Sequence, residues 1–441
     1  MVFSSISFLF YFLPLFLLAY YLFPWRNATL LAASLLFYAW GDVTALPVLL
    51  LCIGLNYGFG LAAARSRAAL AVGVGANLAL LMVYKYANFA AEQIGWTLAP
   101  ISLPLGISFF VFQGISYLVD IRRGTVAAQR SLVAFAMYKA MFPPLIAGPI
   151  VRYASIAPQV DHRAVSAASL TRGVEAFCIG LAQKVLLANT LAGPVDRLFA
   201  TPAGELGPAA AWLGAAGYGL QIYFDFCGYS NMAIGLGRMI GFELPPNFDR
   251  PYAARSVTDF WRRWHISLST WFRDYLYIPL GGNRHGSART GFNLCLVFLL
   301  CGLWHGASWN FAVWGLYHGA FLIIERAGLA RRLAAAPRAM GHAYLAVVVT
   351  IGWVPFRADG LGAARAYLGA MFSPGAISLP ELPTSFAVAF LAGAACAVWP
   401  RSASRPAWMP ALRQVAALTG SLLAAISLAA GTYNPFIYFR F

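Results

Sequence analysis

The chain is short of charge, and shortest of acids. Its 441 residues include 15 Asp and Glu against 31 Lys and Arg, so charged residues make up 10% of the total, where ordinary soluble domains carry about 25%. That scarcity, beside a 60% apolar content, excludes a soluble enzyme. No GxGxxG, no phosphate-binding GxxxxGK[ST] and no zinc-type ligand spacing is present. A nucleotide-hydrolysing machine is therefore disfavoured, and no metal site is expected. The six cysteines (Cys52, Cys178, Cys227, Cys295, Cys301 and Cys396) stand in apolar surroundings and read as small hydrophobes within helices. Basic runs of the kind that hold nucleic acid are missing as well. The net charge of +16 is scattered through loops, where it sets membrane topology and meets anionic lipid headgroups. Membrane lipids, not nucleic acid, are the expected partners of this charge.

What the chain has in quantity is apolar and aromatic length. Runs of about twenty apolar residues recur from end to end, each long enough to cross the hydrocarbon layer. They predict spans near residues 3–23, 30–51, 69–86, 103–119, 132–150, 173–191, 208–226 and 232–242, and further ones near 292–304, 311–324, 343–356, 387–399 and 415–430. Several are short and carry Gly or Pro. Such segments are tolerated at membrane depth only when packed inside protein, so some should be re-entrant. The expectation is an all-α polytopic membrane protein of about ten to thirteen membrane elements, one domain filling residues 1–441. The longest polar stretches, 152–172, 244–273 and 326–338, are loop-sized, and no separate soluble domain is expected. The first apolar run lacks a basic leader and a small-residue cleavage site, and Arg26 follows it. It reads as an uncleaved span whose far end is cytoplasmic. The loop with Arg326, Arg331, Arg332 and Arg338 reads as cytoplasmic too, and the basic segment 250–289 suits a cytoplasmic mouth for an anionic substrate.

One region breaks the apolar pattern: FWRRWHISLSTWFRDYLYIPLGGNRHG from Phe260, then GLWHGASWNFAVWGLYHGAF ending at Phe321. Polar groups at membrane depth are costly unless they pair or line a cavity, so they mark a functional site by default. Glycines 302, 306, 315 and 319 allow close helix approach around His305 and its neighbour Trp304. A neutral buried histidine can take a proton from a hydroxyl or thiol as that group attacks a thioester. It reads equally as a histidine satisfied by a backbone carbonyl, and for His318 that structural reading is preferred. Trp261, Trp264 and Trp271 alternate with Arg262, Arg263 and Arg273. The alternation suits membrane-interface anchoring, or a phosphorylated, aromatic-headed ligand such as coenzyme A. His265 and Ser269 stand one helical turn apart, and Gly281-Gly282-Asn283 ends the segment in a turn. Upstream, QIYFDFCGYSN holds a lone carboxylate, Asp225, with Tyr229 nearby. Asp225 reads as the partner of an arginine in the next segment, as the group orienting a histidine, or as half of a structural ion pair. Between Asp274 and Glu325 there is no acid, so a carboxylate orienting His305 has to come from elsewhere in the fold.

Taken together, FPPLIAGPIVRY, QIYFDFCGYSNMAIGLG, FWRRWHISLSTWFRDYLYIPLGGN and GLWHGASWNFAVWGLYHG resemble the membrane-bound O-acyltransferases, within them the bacterial branch that O-acetylates alginate. The likeness runs from Met1 to about Glu325, with the motif-bearing core at 101–325. It implies a multi-helix bundle with re-entrant helices around a central tunnel. The resemblance makes His305, in the WHG motif, the catalytic residue, and His265 its functional partner. It leaves Asp225, Tyr229, Trp261, Arg262, Arg263, Trp264, Ser269, Arg273, Asn283 and Trp304 as donor- or substrate-binding candidates. It further implies acetyl-CoA as a cytoplasmic acyl donor with no bound cofactor, and a location in the bacterial inner membrane. The acetyl group would then pass toward hydroxyls of an extracytoplasmic polysaccharide, through a periplasmic SGNH-type acetyltransferase within a polysaccharide biosynthesis complex. Within the class, acetylation of cellulose or peptidoglycan and D-alanyl transfer remain open. Outside it stand a transporter or flippase and a non-catalytic assembly subunit.

Overall fold

The structure is a computed structural model that describes residues 2–374, 380–399 and 409–437. It is helical, with no strand among the described residues. Six described helices are long and apolar enough to cross a membrane: Leu46–Ala63, Arg67–Gln93, Ala167–Ala200, Gly286–His305, Arg338–Arg357 and Ala411–Ala429. Phe8–Leu22 and Thr384–Val398 are shorter apolar helices.

Several spans read from the sequence take a different form, each for a local reason. The run 30–51 is two helices, Arg26–Gly41 and Leu46–Ala63. Asp42 separates them, its carboxylate accepting from Thr44 Oγ1 (2.7 Å) and Ala45 N (3.1 Å). The run 132–150 forms a helix over Leu132–Ala140, breaks at Met141 and resumes as a single turn, Phe142–Leu145, with Pro143 and Pro144 in it. Conversely, the two runs 208–226 and 232–242 are one helix of 32 residues, Pro208–Met239. The polar residues Ser230 and Asn231 between them do not break a helix that nothing caps there.

The chain divides into two compact units, Met1–Leu181 with Tyr229–Pro246, and Ala182–Gly228 with Asn247–Phe441. In the first, α1 (Leu46–Ala63), α2 (Arg67–Leu81) and α3 (Ile107–Arg122) pack together. Asn56 and Asn77 are buried and exchange amide hydrogen bonds at 3.0 and 2.9 Å. Gly114 of α3 lies against that pair: a Cβ there would come within 2.5 Å of Asn56 Oδ1. A polar clasp under a small residue suits helices that have no hydrophobic drive to associate in lipid. The long helix Pro208–Met239, α4, contributes its residues through Gly228 to the second unit.

The second unit also holds α5 (Val257–Arg263), α6 (Ile266–Phe272), α7 (Gly286–His305), α8 (Trp309–Ile324) and α9 (Arg338–Arg357). Helices α7 and α8 pack tightly against one another, and glycine makes it possible. A Cβ on Gly302 would sit 2.0 Å from the Phe311 carbonyl oxygen, and one on Gly315 would sit 2.1 Å from that of Phe298. Helix α5 and α6 are seven residues each, with Phe260, Trp261, Leu268, Trp271 and Phe272 buried. They are short broken helices of the kind tolerated inside protein.

Candidate active site

His305 is the last residue of α7, where Gly306 turns the chain into an extended conformation. It is 2% exposed, and rings surround its imidazole: Trp304 at 5.0 Å, Trp314 at 5.1 Å and Phe356 at 5.2 Å between centroids. His265 approaches from the junction of α5 and α6, with 6.4 Å between the two imidazole centroids. Its ring meets Phe226 at 4.6 Å and Trp304 at 5.7 Å. The two histidines named from the sequence therefore face one another, separated by 40 residues of chain but sharing Trp304 as a neighbour.

The backbone at His265 is left-handed, φ 44° and ψ 55°, a conformation that L-residues with a large side chain rarely adopt. Asn247 over-determines it. Its carbonyl accepts from Ile266 N (2.9 Å), and its side-chain Oδ1 accepts from Ser267 Oγ (2.8 Å) and Ser267 N (3.3 Å). Because the backbone N–H can only donate, Oδ1 is an acceptor, and His265 Nδ1, 3.1 Å from it, must carry the proton. The other ring nitrogen, Nε2, then presents a lone pair. His265 lies outside the spanning helices, and burial pushes its pKa down to about 3, which keeps it neutral. The sequence placed His265 and Ser269 on one helical face. In the structure the helix starts after His265, and Ser269 N donates to the His265 carbonyl (3.0 Å).

A cavity of about 430 Å³ opens beside these elements, and Trp261, Arg262, Ser269 and Arg273 are among its lining. Four of the ten candidate binding residues thus meet in one place. Arg262 is exposed there and forms no ion pair among the described residues. Arg273 is exposed and held by Asp274, with Nε–Oδ1 at 2.6 Å and Nη2–Oδ2 at 3.1 Å. The other candidates have different surroundings. Arg263 is paired with Asp259 at 2.9 Å. Trp264 is buried, stacked on Phe260 at 5.5 Å and against Trp353 at 5.0 Å. Asn283 is exposed in its turn. Trp304 neighbours both histidines. Tyr229 belongs to the first unit, where it stacks on Phe3 at 4.5 Å. Asp225 pairs with Lys184 at 2.5 Å, both 2% exposed, and accepts from Ile437 N at 2.8 Å. The partner of Asp225 is therefore a lysine and not an arginine of the following segment. His318 is caged by Trp314 (5.1 Å), Trp261 (5.3 Å) and Tyr317 (5.4 Å).

Two residues that the motifs did not single out organise this site. Asn247 fixes His265, as above. Glu325, 1% exposed just past α8, accepts from Val257 N (2.5 Å), Thr258 N (2.9 Å), Thr258 Oγ1 (2.5 Å) and Tyr344 OH (3.1 Å). Its carboxylate thereby caps the N-terminus of α5, the helix that carries Trp261 and Arg262. The signal for Glu325 was there to read: an acid ending an apolar helix in an acid-poor chain.

The model of the membrane-bound O-acyltransferase family matches residues 78–354, more than half of the chain. The chain belongs to that family. As a membrane-bound O-acyltransferase it is an enzyme and a multi-pass membrane protein. It is 46% identical over 404 residues to the "Probable alginate O-acetylase AlgI" of Azotobacter vinelandii, covering 87% of this chain and 80% of that one. To the protein of the same name in Pseudomonas aeruginosa it is 44% identical, covering 87% and 77%. The "Peptidoglycan O-acetyltransferase" of Helicobacter pylori is 35% identical over 433 residues, covering 87% and 82%. Each covers the matched region of this O-acyltransferase with the facing histidines in it.

Proposed function

We propose that this O-acyltransferase takes acetyl from acetyl-CoA and passes it to hydroxyls destined for an alginate-like extracytoplasmic polysaccharide, in the bacterial inner membrane. The observation that carries the reading is the pair of facing imidazoles, 6.4 Å apart, next to helices α6 and α7, which with Arg262 and Arg273 line a cavity. Names of relatives at 44–46% identity support acetyl as the group and alginate as the polymer.

The chemistry assigns His305 as general base. The accepting hydroxyl gives its proton to His305 as its oxygen bonds to the acetyl carbon. The carbon–sulfur bond of the thioester breaks, and the proton returns to the leaving coenzyme A thiolate. His265, held neutral with Nδ1 protonated and its ring centroid 6.4 Å from that of His305, orients or polarises the reacting groups. The Arg262 guanidinium, with Arg273 beside it, suits the phosphates of coenzyme A, and the Trp261 ring suits its adenine. The basic 250–289 segment supports a donor mouth on the cytoplasmic side. A periplasmic SGNH-type partner would carry the acetyl group onward to the polymer.

His305→Ala should abolish acetyl transfer from labelled acetyl-CoA while membrane insertion stays normal. Unchanged polymer acetylation in cells carrying that variant would remove His305 from the mechanism. D-alanyl transfer is the weaker reading within the class, because the motifs look like the alginate type. Labelled acetyl-CoA also separates the reading from a transporter, which would neither bind nor turn over the thioester.

A further inference from the structure

A second cavity, of about 270 Å³, lies in the same unit as the one just described and belongs to no assigned role. Ser308, three residues after His305, and Phe356, whose ring meets the His305 imidazole at 5.2 Å, both line it. The lining of the Arg262 cavity includes four residues of α7: Leu294, Val297, Phe298 and Cys301. The second cavity has no α7 residue in its lining and begins past the end of that helix, so along the chain His305 falls between the α7 residues of the first lining and Ser308 of the second.

The chemistry of the second cavity is specific. Gln221 of α4 lines it, is 4% exposed, and its Oε1 has no hydrogen-bond partner among the described residues. A buried amide oxygen left unmatched is costly, and a ligand that donates an O–H to it removes that cost. The charges around it select further. Asp196 and Asp359 contribute two carboxylates, and the one guanidinium in the lining, that of Arg357, is held by Asp196 at 2.7 Å. The lining charges sum to −1, so a carboxylate-bearing ligand meets net repulsion.

We propose that this cavity is the acceptor subsite of the transferase, that Gln221 accepts from a hydroxyl of the acceptor other than the one that reacts, and that the acceptor is uncharged. The proposal rests on the reading of His305 as the acyl-transfer base and names the substrate class that reaches it. The acceptor oxygen forms the new bond to the acetyl carbon, the thioester bond breaks, and the acceptor proton reaches the departing thiolate by way of His305. An acidic polysaccharide is then acetylated in a later step, by a reaction that consumes the neutral acetyl ester formed here.

The purified full chain in detergent, given labelled acetyl-CoA, tests this with glycerol and glycerate, probes of nearly equal size of which one is neutral and the other anionic. The expected result is acetylglycerol with little acetylglycerate. Gln221→Leu should raise the KM for glycerol about ten-fold, the loss of one buried hydrogen bond, while the KM for acetyl-CoA holds. Asp359→Asn, at an exposed position, should narrow the preference for glycerol over glycerate. Equal use of glycerate by the native chain overturns the proposal, as does acetyl-CoA turnover that never acetylates glycerol. An unshifted glycerol KM in a folded Gln221→Leu protein overturns it too. Should that variant fail to fold, an unchanged preference in Asp359→Asn overturns it alone. An absence of any acetyl-CoA turnover would instead sink the acyl-transfer reading beneath it.

Discussion

At the scale of single residues, the site depends on a histidine held in a backbone conformation it would not choose. His265 stays left-handed because Asn247 satisfies Ile266, Ser267 and the imidazole at once. No motif could announce this, since neither glycine nor proline marks the turn and Asn247 lies 18 residues upstream. The histidines themselves were legible, because a titratable ring in an apolar run is costly unless used. Burial also fixes a pH signature. With a folded pKa near 3 against an ordinary 6.5, the unfolded chain binds a proton below pH 6.5 that the folded chain does not. Stability should therefore fall as pH drops from 6.5 toward 3. His265→Gln should make that acid limb shallower in denaturation measured across pH, and an identical limb would contradict the burial argument.

At the scale of elements, two devices bring the site together. The first is the glycine seam of α7 and α8, which seats His305. Gly315→Ala pushes a Cβ to 2.1 Å from a backbone carbonyl, so neither helix can accommodate it without separating. Its thermal stability should fall by about 1–3 kcal/mol, the usual cost of overpacking, with transfer activity falling too. Gly291→Ala, whose nearest neighbour would be 3.9 Å away, is the control and should be neutral. Equal melting of the two variants would show that the seam does not constrain α7. The second device is the Glu325 cap on α5. Glu325→Ala leaves two backbone N–H groups and the Thr258 hydroxyl without their acceptor. Denaturant unfolding should show a loss of about 1.5–3 kcal/mol, as for hydrogen bonds to a charged group. A loss below about 0.5 kcal/mol would mean that water replaces the carboxylate. The glycines of the seam stood out in the sequence as a spacing. The cap did not, because its donor and acceptor are 67 residues apart.

At the scale of the whole molecule, the buried Lys184–Asp225 pair binds distant parts of the second unit. Lys184 also donates to Asn189 Oδ1 (2.7 Å) and to the Pro435 carbonyl, while Asp225 accepts from Ile437 N. Removing one partner strands the other charge, so Lys184→Met or Asp225→Leu alone should cost about 3–5 kcal/mol. The double variant Lys184→Met with Asp225→Leu should recover much of that, because an apolar pair of similar volume avoids the desolvation penalty. A double-mutant cycle on unfolding measures it, and purely additive losses would show that the two charges act independently.

The amino-acid sequence by itself determined the class of this protein. Apolar runs with scarce charge can only be satisfied by helices in a membrane, and the polar residues tolerated among them, His305, His265, Arg262 and Arg273, had to have a reason to be there. Local composition carries that information, since burial of apolar length and the cost of polar groups are properties of the segment. What only the tertiary structure decided is partnership: Lys184 with Asp225, Asn247 with His265, Glu325 with α5, and Arg262 without an ion pair among the described residues. Those choices depend on which segments meet. Where polar groups are few, each contact between remote segments settles both the charge state and the geometry of the groups it joins.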